Sequence, residues 1–172
     1  MTETNELVDR LEALEARVRT LDAEAAITKT LYRLAITLDY GDHEAWIDCF
    51  APDAVFEMVE VSETDRVVRV RHDGRDALAA FIPGHSHAPQ HFHKHLVGDP
   101  LIEITGDGGD TATSTSYLTR LDKGEAGPYL WSFGRYLDTF VRGDDGRWRV
   151  ARRTIEVESR AVPVKASDIG AR

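Results

Sequence analysis

The chain has 172 residues, enough for one domain with a sizeable core, and its composition of 42% hydrophobic and 30% charged residues is that of an ordinary globular protein rather than a disordered or fibrous one. A formal net charge of −9 argues against nucleic acid as a partner, because binding phosphates needs a basic face. Cys49 is the only cysteine, so no intrachain disulfide forms, and no apolar run is long enough to cross a bilayer. The opening MTETNELVDR has no apolar signal-peptide core, which together with the lone cysteine sets a cytoplasmic expectation with no membrane partner.

Leu7, Leu11, Leu14, Val18 and Leu21 recur at heptad spacing with charges between them, so residues 1–24 read as an N-terminal helical arm. An apolar terminal arm calls for a partner surface, which points to a homo-oligomer, a dimer or trimer. Ala25–Tyr40 is a second helix or a continuation of the first, with Ile27, Leu31, Leu34 and Leu38 as its stripe and Gly41 as its stop. Asp42 is an N-cap for a short helix through Phe50, which Pro52 and Asp53 end. Cys49 lies in that helix as a buried free thiol rather than a nucleophile.

From Ala54 the apolar period changes to two. Val55–Val61 and Val67–Val70 read as strands, and Gly74–Phe81 as a helix. After a loop marked by Pro83, Gly84 and Pro89 come His91–Ile104, Thr111–Leu121, Tyr129–Arg142 and Trp148–Arg160, four strands separated by glycine-rich turns. Helices followed by a run of strands predict an α+β fold, with a strongly curved mixed or antiparallel sheet wrapped around the N-terminal helices as an open cone. That domain spans 25–161, and 162–172 form a loosely ordered tail.

The stretch Pro89–Glu103 carries the chemistry. If it is extended, His91, His93, His95 and Val97 share one face, and imidazoles among apolar neighbours suggest the wall of a pocket that moves protons. With His85 and His87 these histidines also raise a metal reading. Imidazoles four residues apart on a strand are about 13 Å apart, too far for one ion. No metal is therefore expected, and His85–His93 are assigned to a loop or rim at the mouth.

The pieces LYRLAITLDYGD (31–42), AWIDCFAPDAVF (45–56), Gly74–Phe81, HLVGDP (95–100), GRYLD (134–138) and GRWRVARR (146–153) resemble the SnoaL-like members of the nuclear-transport-factor-2-like (NTF2-like) superfamily. The likeness is greatest to its scytalone dehydratase and hexachlorocyclohexane dehydrochlorinase branch. It implies a cofactor-independent lyase or isomerase that takes a proton from a small, fairly apolar cyclic substrate. By the resemblance Asp39 orients His95, His95 is the base, and Arg153 receives a leaving group. Tyr136 matches a pocket aromatic there, which assigns the even-numbered face of its strand, with Ser132, to the pocket. Leu34 departs from the pattern, since many members carry Tyr or Lys at that place.

Residue geometry adds Trp46 and Phe56 as a cavity floor, and Tyr117 with Ser114 or Ser116 as lining. Tyr32 lies near Asp39 on the helical wheel. An inward Arg153 would pair with an anion or with Asp39. The alternatives are a non-catalytic small-molecule-binding or assembly module, and a small subunit of a ring-hydroxylating oxygenase.

Overall fold

A computed structural model describes residues 2–106 and 108–161; the tail expected at 162–172 lies outside the described residues. The arm and the second helix are one continuous helix, α1 (Thr2–Tyr40, 39 residues). Every residue from Thr4 to Asp22 is exposed, and burial begins at Ala23. From there Ile27, Leu31 and Leu34 enter the core, one or two turns apart on one face.

The end of α1 is fixed by its backbone. Gly41 adopts φ 73°, its N–H donates to the Leu38 carbonyl, and the Asp42 N–H donates to the Thr37 carbonyl. This is the paired closure that favours glycine just past a helix. A side chain there would also meet the His87 ring, 2.6 Å from the added Cβ.

The next helix, α2 (His43–Ile47), is capped as expected: the Asp42 carboxylate accepts the Ala45 N–H at 3.1 Å. It is shorter than the spacing predicts. Phe50 begins β1 (Phe50–Val61), where it pairs with Val150, while its ring stays 4.7 Å from that of Trp46. Pro52 and Asp53 are therefore not a terminator. They sit where the β1 ladder to its neighbour shifts register between Phe50 and Val55, a place that tolerates a residue without an N–H. Cys49 lies in the turn between α2 and β1, and burial pushes its thiol up to about 11.

The remaining elements are β2 (Arg66–Asp73), α3 (Gly74–Phe81), a single 3₁₀ turn at Ile82–Gly84, β3 (His93–Thr105), β4 (Thr111–Gly124), β5 (Gly127–Arg142) and β6 (Trp148–Arg160). They form one six-stranded sheet in the order β2-β1-β6-β5-β4-β3. Only the β1–β6 pair is parallel, so the sheet is mixed. It curves without closing, and α1 packs across its concave side, with Ile27, Leu31, Leu34, Phe50, Phe140 and Val150 at the centre of the core. The fold is the α+β cone that the sequence predicts. Among the described residues no helix is long and apolar enough to cross a membrane.

The β5–β6 ladder breaks register between Phe133 and Gly134, the kind of irregularity at which a strand can bend. A Cβ on Gly134 would lie 1.9 Å from the Glu156 carbonyl oxygen, a clash with backbone that no rotamer relieves. Gly134→Ala is expected to cost about 1–3 kcal/mol, read as a lower urea midpoint with an unchanged slope.

Candidate active site

Asp39 occupies the last turn of α1, where the helix dipole disfavours an anion, yet it is only 3% exposed. The compensation comes from β3. The His95 backbone N–H donates to Asp39 Oδ2 at 3.1 Å, and His95 Nδ1 lies 2.7 Å from Asp39 Oδ1. In the neutral ring a bond to the carboxylate places the proton on Nδ1 and leaves Nε2 with a lone pair. The loop before β3 is tied to the same helix end, because the Ala88 N–H donates to the Asp39 carbonyl.

Strand alternation turns His93, His95 and Val97 to the concave face, but β3 begins at His93 rather than His91. His91 precedes it and reaches Asp122 at 3.3 Å. His93 Nε2 is 3.4 Å from Asp39 Oδ1 without hydrogen-bond alignment, and neither of its ring nitrogens has a partner. Burial, then the neighbouring His95, hold both His93 and His85 down at about 4, so both rings are neutral near pH 7.

Of these side chains His85 and His95 line a cavity of about 180 Å³ inside the cone. A dry apolar cavity of about 150 Å³ accepts a benzene ring, so the space suits a small cyclic molecule. Its apolar wall includes Leu34, Trp46, Phe56, Met58, Leu118 and Val157. Seven of its lining side chains carry nitrogen or oxygen atoms: His85, His95, Arg120, Trp131, Ser132, Tyr136 and Arg153.

Arg153 does not pair with Asp39. Its Nε and Nη2 donate to the two Asp138 oxygens at 2.8 and 2.9 Å, and the guanidinium lies 4.5 Å from the Tyr136 ring centre. Register makes the pair, since Asp138 and Arg153 are direct cross-strand neighbours. Burial works against the Arg153 charge, and the Asp138 carboxylate more than offsets it, so the guanidinium is held above its ordinary value. Burial pushes the Tyr136 phenol up, so its hydroxyl keeps its proton. The adjacent Arg152 points outward to Glu57.

Two expected lining residues are elsewhere. Tyr117 is 62% exposed on the convex face, because on β4 it has the opposite parity to the inward Ser116, Leu118 and Arg120. Tyr32 is 46% exposed, a single helix position away from the buried Leu31 and so turned well off the core face. Ser114 and Ser116 are buried but do not reach the cavity.

Asp138, the partner of Arg153, and two cavity-lining residues, Arg120 and Trp131, escaped the sequence reading. Asp138 stands in the quoted GRYLD segment, two positions after Tyr136 on the same face. Arg120 has the inward parity of Leu118, and its fork to Asp122 at 2.7 and 3.0 Å and its stack on Trp131 depend on tertiary contacts. Trp131 was assigned outward by alternation. The β4–β5 register shifts between Arg120 and Leu121, facing Ser132 and Leu130, and that break turns Trp131 inward. His85 was expected at the rim and lines the wall instead.

A curved sheet closed over a helix, with a ligand-sized hollow between them, is the architecture of NTF2-like α+β proteins. An NTF2-like protein with a cystatin-like fold from Novosphingobium aromaticivorans superposes with a TM-score of 0.70 at 24% identity, covering 91% of this chain and 93% of its own. Residues 19–154 match the SnoaL-like domain family, and the chain belongs to it. The beta subunit of a putative aromatic-ring-hydroxylating dioxygenase from the same organism is similar at 22% identity and TM-score 0.69, over 84% of this chain and 99% of that one. A putative scytalone dehydratase, also from that organism, is similar at 19% identity and TM-score 0.63, over 85% and 93%. At these identities the likeness is one of fold. No curated protein matches the chain.

Proposed function

We propose that the protein is a cofactor-independent lyase or isomerase acting on a small, fairly apolar cyclic substrate. The observation that carries this reading is the 2.7 Å contact between Asp39 and His95 at the wall of the cavity. His95 Nε2 takes a proton from a carbon beside a carbonyl, and the electron pair of that C–H bond forms the new double bond. In a dehydration the imidazolium returns the proton to the departing hydroxyl, which leaves as water. In an isomerisation it returns the proton to another carbon. Asp39 stabilises the transient imidazolium, while Arg153, Ser132 and Tyr136 hold the substrate oxygen as it gains charge. Leu34 makes the wall opposite apolar, which favours a ring over a second polar group.

Incubating the protein in D2O with a panel of cyclic ketones and β-hydroxy ketones tests this. Enzyme-dependent deuterium uptake beside the carbonyl, lost with His95→Ala, supports it. No exchange and no turnover across ligands shown to occupy the cavity contradicts it and leaves a binding module.

We also propose that two copies pair along α1. Leu7, Leu11, Leu14, Val18 and Leu21 are each more than half exposed. They lie about 180° around the helix from the face bearing Ile27, Leu31 and Leu34, so the stripe points away from its own cone. With Leu7, Leu14 and Leu21 as d positions, a parallel pair sets Arg10 against Glu15, Arg17 against Asp22 and Glu24 against Lys29 of the second copy. An antiparallel pair centred on Ala16 sets Arg17 against Arg17 and Glu15 against Glu15 of the second copy. Leu11→Glu with Leu14→Glu is expected to halve the mass seen by sedimentation without loss of helix. An unchanged mass contradicts the pairing.

A further inference from the structure

We propose that His85, His93 and His95 form a binding site for one divalent transition-metal ion of the zinc class. The inference does not rest on the catalytic reading, although the two share His95.

The strand alone supplies only two ligands to such a site, because His91, four residues before His95, would lie about 13 Å from it along an extended strand. The fold changes this by bringing His85 in from the loop after α3. One nitrogen of each ring lies within 4.8 Å of one nitrogen of each of the others. The ring centres are 5.0 Å apart for His93 and His95, 5.3 Å for His85 and His93, and 5.9 Å for His85 and His95. Zinc–nitrogen bonds of about 2.0–2.1 Å put tetrahedral ligand atoms about 3.3 Å apart, so the rings need to draw together by at most about 1.5 Å.

The second observation is orphaned polarity. His93 is 2% exposed, and both of its ring nitrogens lack a partner; His85 Nδ1 is buried and lacks one too. Burying an imidazole nitrogen without a partner is costly, and native interiors rarely leave one. A cation bound at the lone pairs satisfies one nitrogen of each ring, and neutral imidazole is the form a metal binds.

The surroundings fit a cation. Asp39 accepts the Nδ1–H of His95, the outer contact by which a carboxylate orients a metal-bound imidazole. The nearby positive charge, Arg120, is matched by its two bonds to Asp122. His85 and His95 both line the cavity, so a fourth position faces it for water or a ligand oxygen. The ion would take the His95 Nε2 lone pair. The metal-loaded and proton-abstracting forms therefore exclude each other, and zinc acts as an inhibitor of the second.

The test is calorimetric titration of the chelator-treated full-length protein with Zn2+, repeated with Co2+ followed by visible absorption. One Zn2+ per chain with a Kd below about 10 μM is expected, with Co2+ bands of a four- or five-coordinate ion. His85→Ala, a change in a loop, is expected to weaken binding at least tenfold while the circular dichroism spectrum stays that of wild type. His87→Ala is expected to leave affinity unchanged. Absence of saturable binding, or binding indifferent to His85→Ala, overturns the inference. Loss of turnover in His95→Ala without zinc binding in the wild type sinks this site alone. Zinc binding with full turnover in His95→Ala sinks the catalytic reading alone.

Discussion

His95→Ala is expected to lower kcat by about 10²- to 10⁴-fold, the contribution of a positioned general base, while the thermal midpoint stays close to wild type. The substitution removes the only imidazole that both meets the Asp39 carboxylate as a hydrogen-bond partner and lines the cavity. Asp39→Asn should act through the same group. An amide can still accept the Nδ1–H, but it carries no charge to stabilise the imidazolium, and its NH2 can turn towards the ring and favour the other tautomer. A loss of at least about 10²-fold is expected for it as well. The two losses should not add, because each removes the same catalytic unit. Full activity in both variants on an established substrate would reject the pair as the base.

Asp138→Ala is expected to give the largest fall in stability, about 3–5 kcal/mol, because it strands a buried guanidinium. The side chains of Arg153 and Asp138 are 6% and 0% exposed, so bulk solvent does little to screen a guanidinium left without its carboxylate. Arg153→Met in the Asp138→Ala background should recover most of the loss, since replacing both charges leaves neither unpaired. Urea denaturation of the two variants measures this. A single-variant loss under about 1 kcal/mol would mean that the pair is solvated in solution.

The architecture was largely legible in the sequence because it rests on local signals. Heptad spacing marks α1, Gly41 marks its end, and glycine-rich turns separate the long strands. The bounds of α3 and β6 agree with the residues predicted for them. Asp39 and His95 were nominated by the resemblance of the segments that carry them to the SnoaL-like pattern, and a carboxylate in the last turn of a helix, unfavourable alone, agrees with its having a partner.

What was missed depends on pairing between distant segments. Alternation says that Tyr117 and Ser116 face opposite ways, but not which way is inward. At Trp131 a register shift reverses the rule. Arg153 could be placed inward, yet its partner followed only from the β5–β6 register. The helix read through Phe50 failed because Phe50 packs on Trp46 equally well from a strand. The grouping of His85 with His93 and His95 was out of reach, since nothing local brings His85 to His93.

The most direct test of the central claim is the tautomer of the neutral His95 ring, read by long-range 1H–15N NMR on the high-pH side of its titration. The account predicts a proton on Nδ1, shifted downfield by its bond to Asp39, with Nε2 unprotonated, and loss of the downfield signal in Asp39→Asn. A proton on Nε2 in the wild type, or a spectrum indifferent to Asp39→Asn, would contradict it.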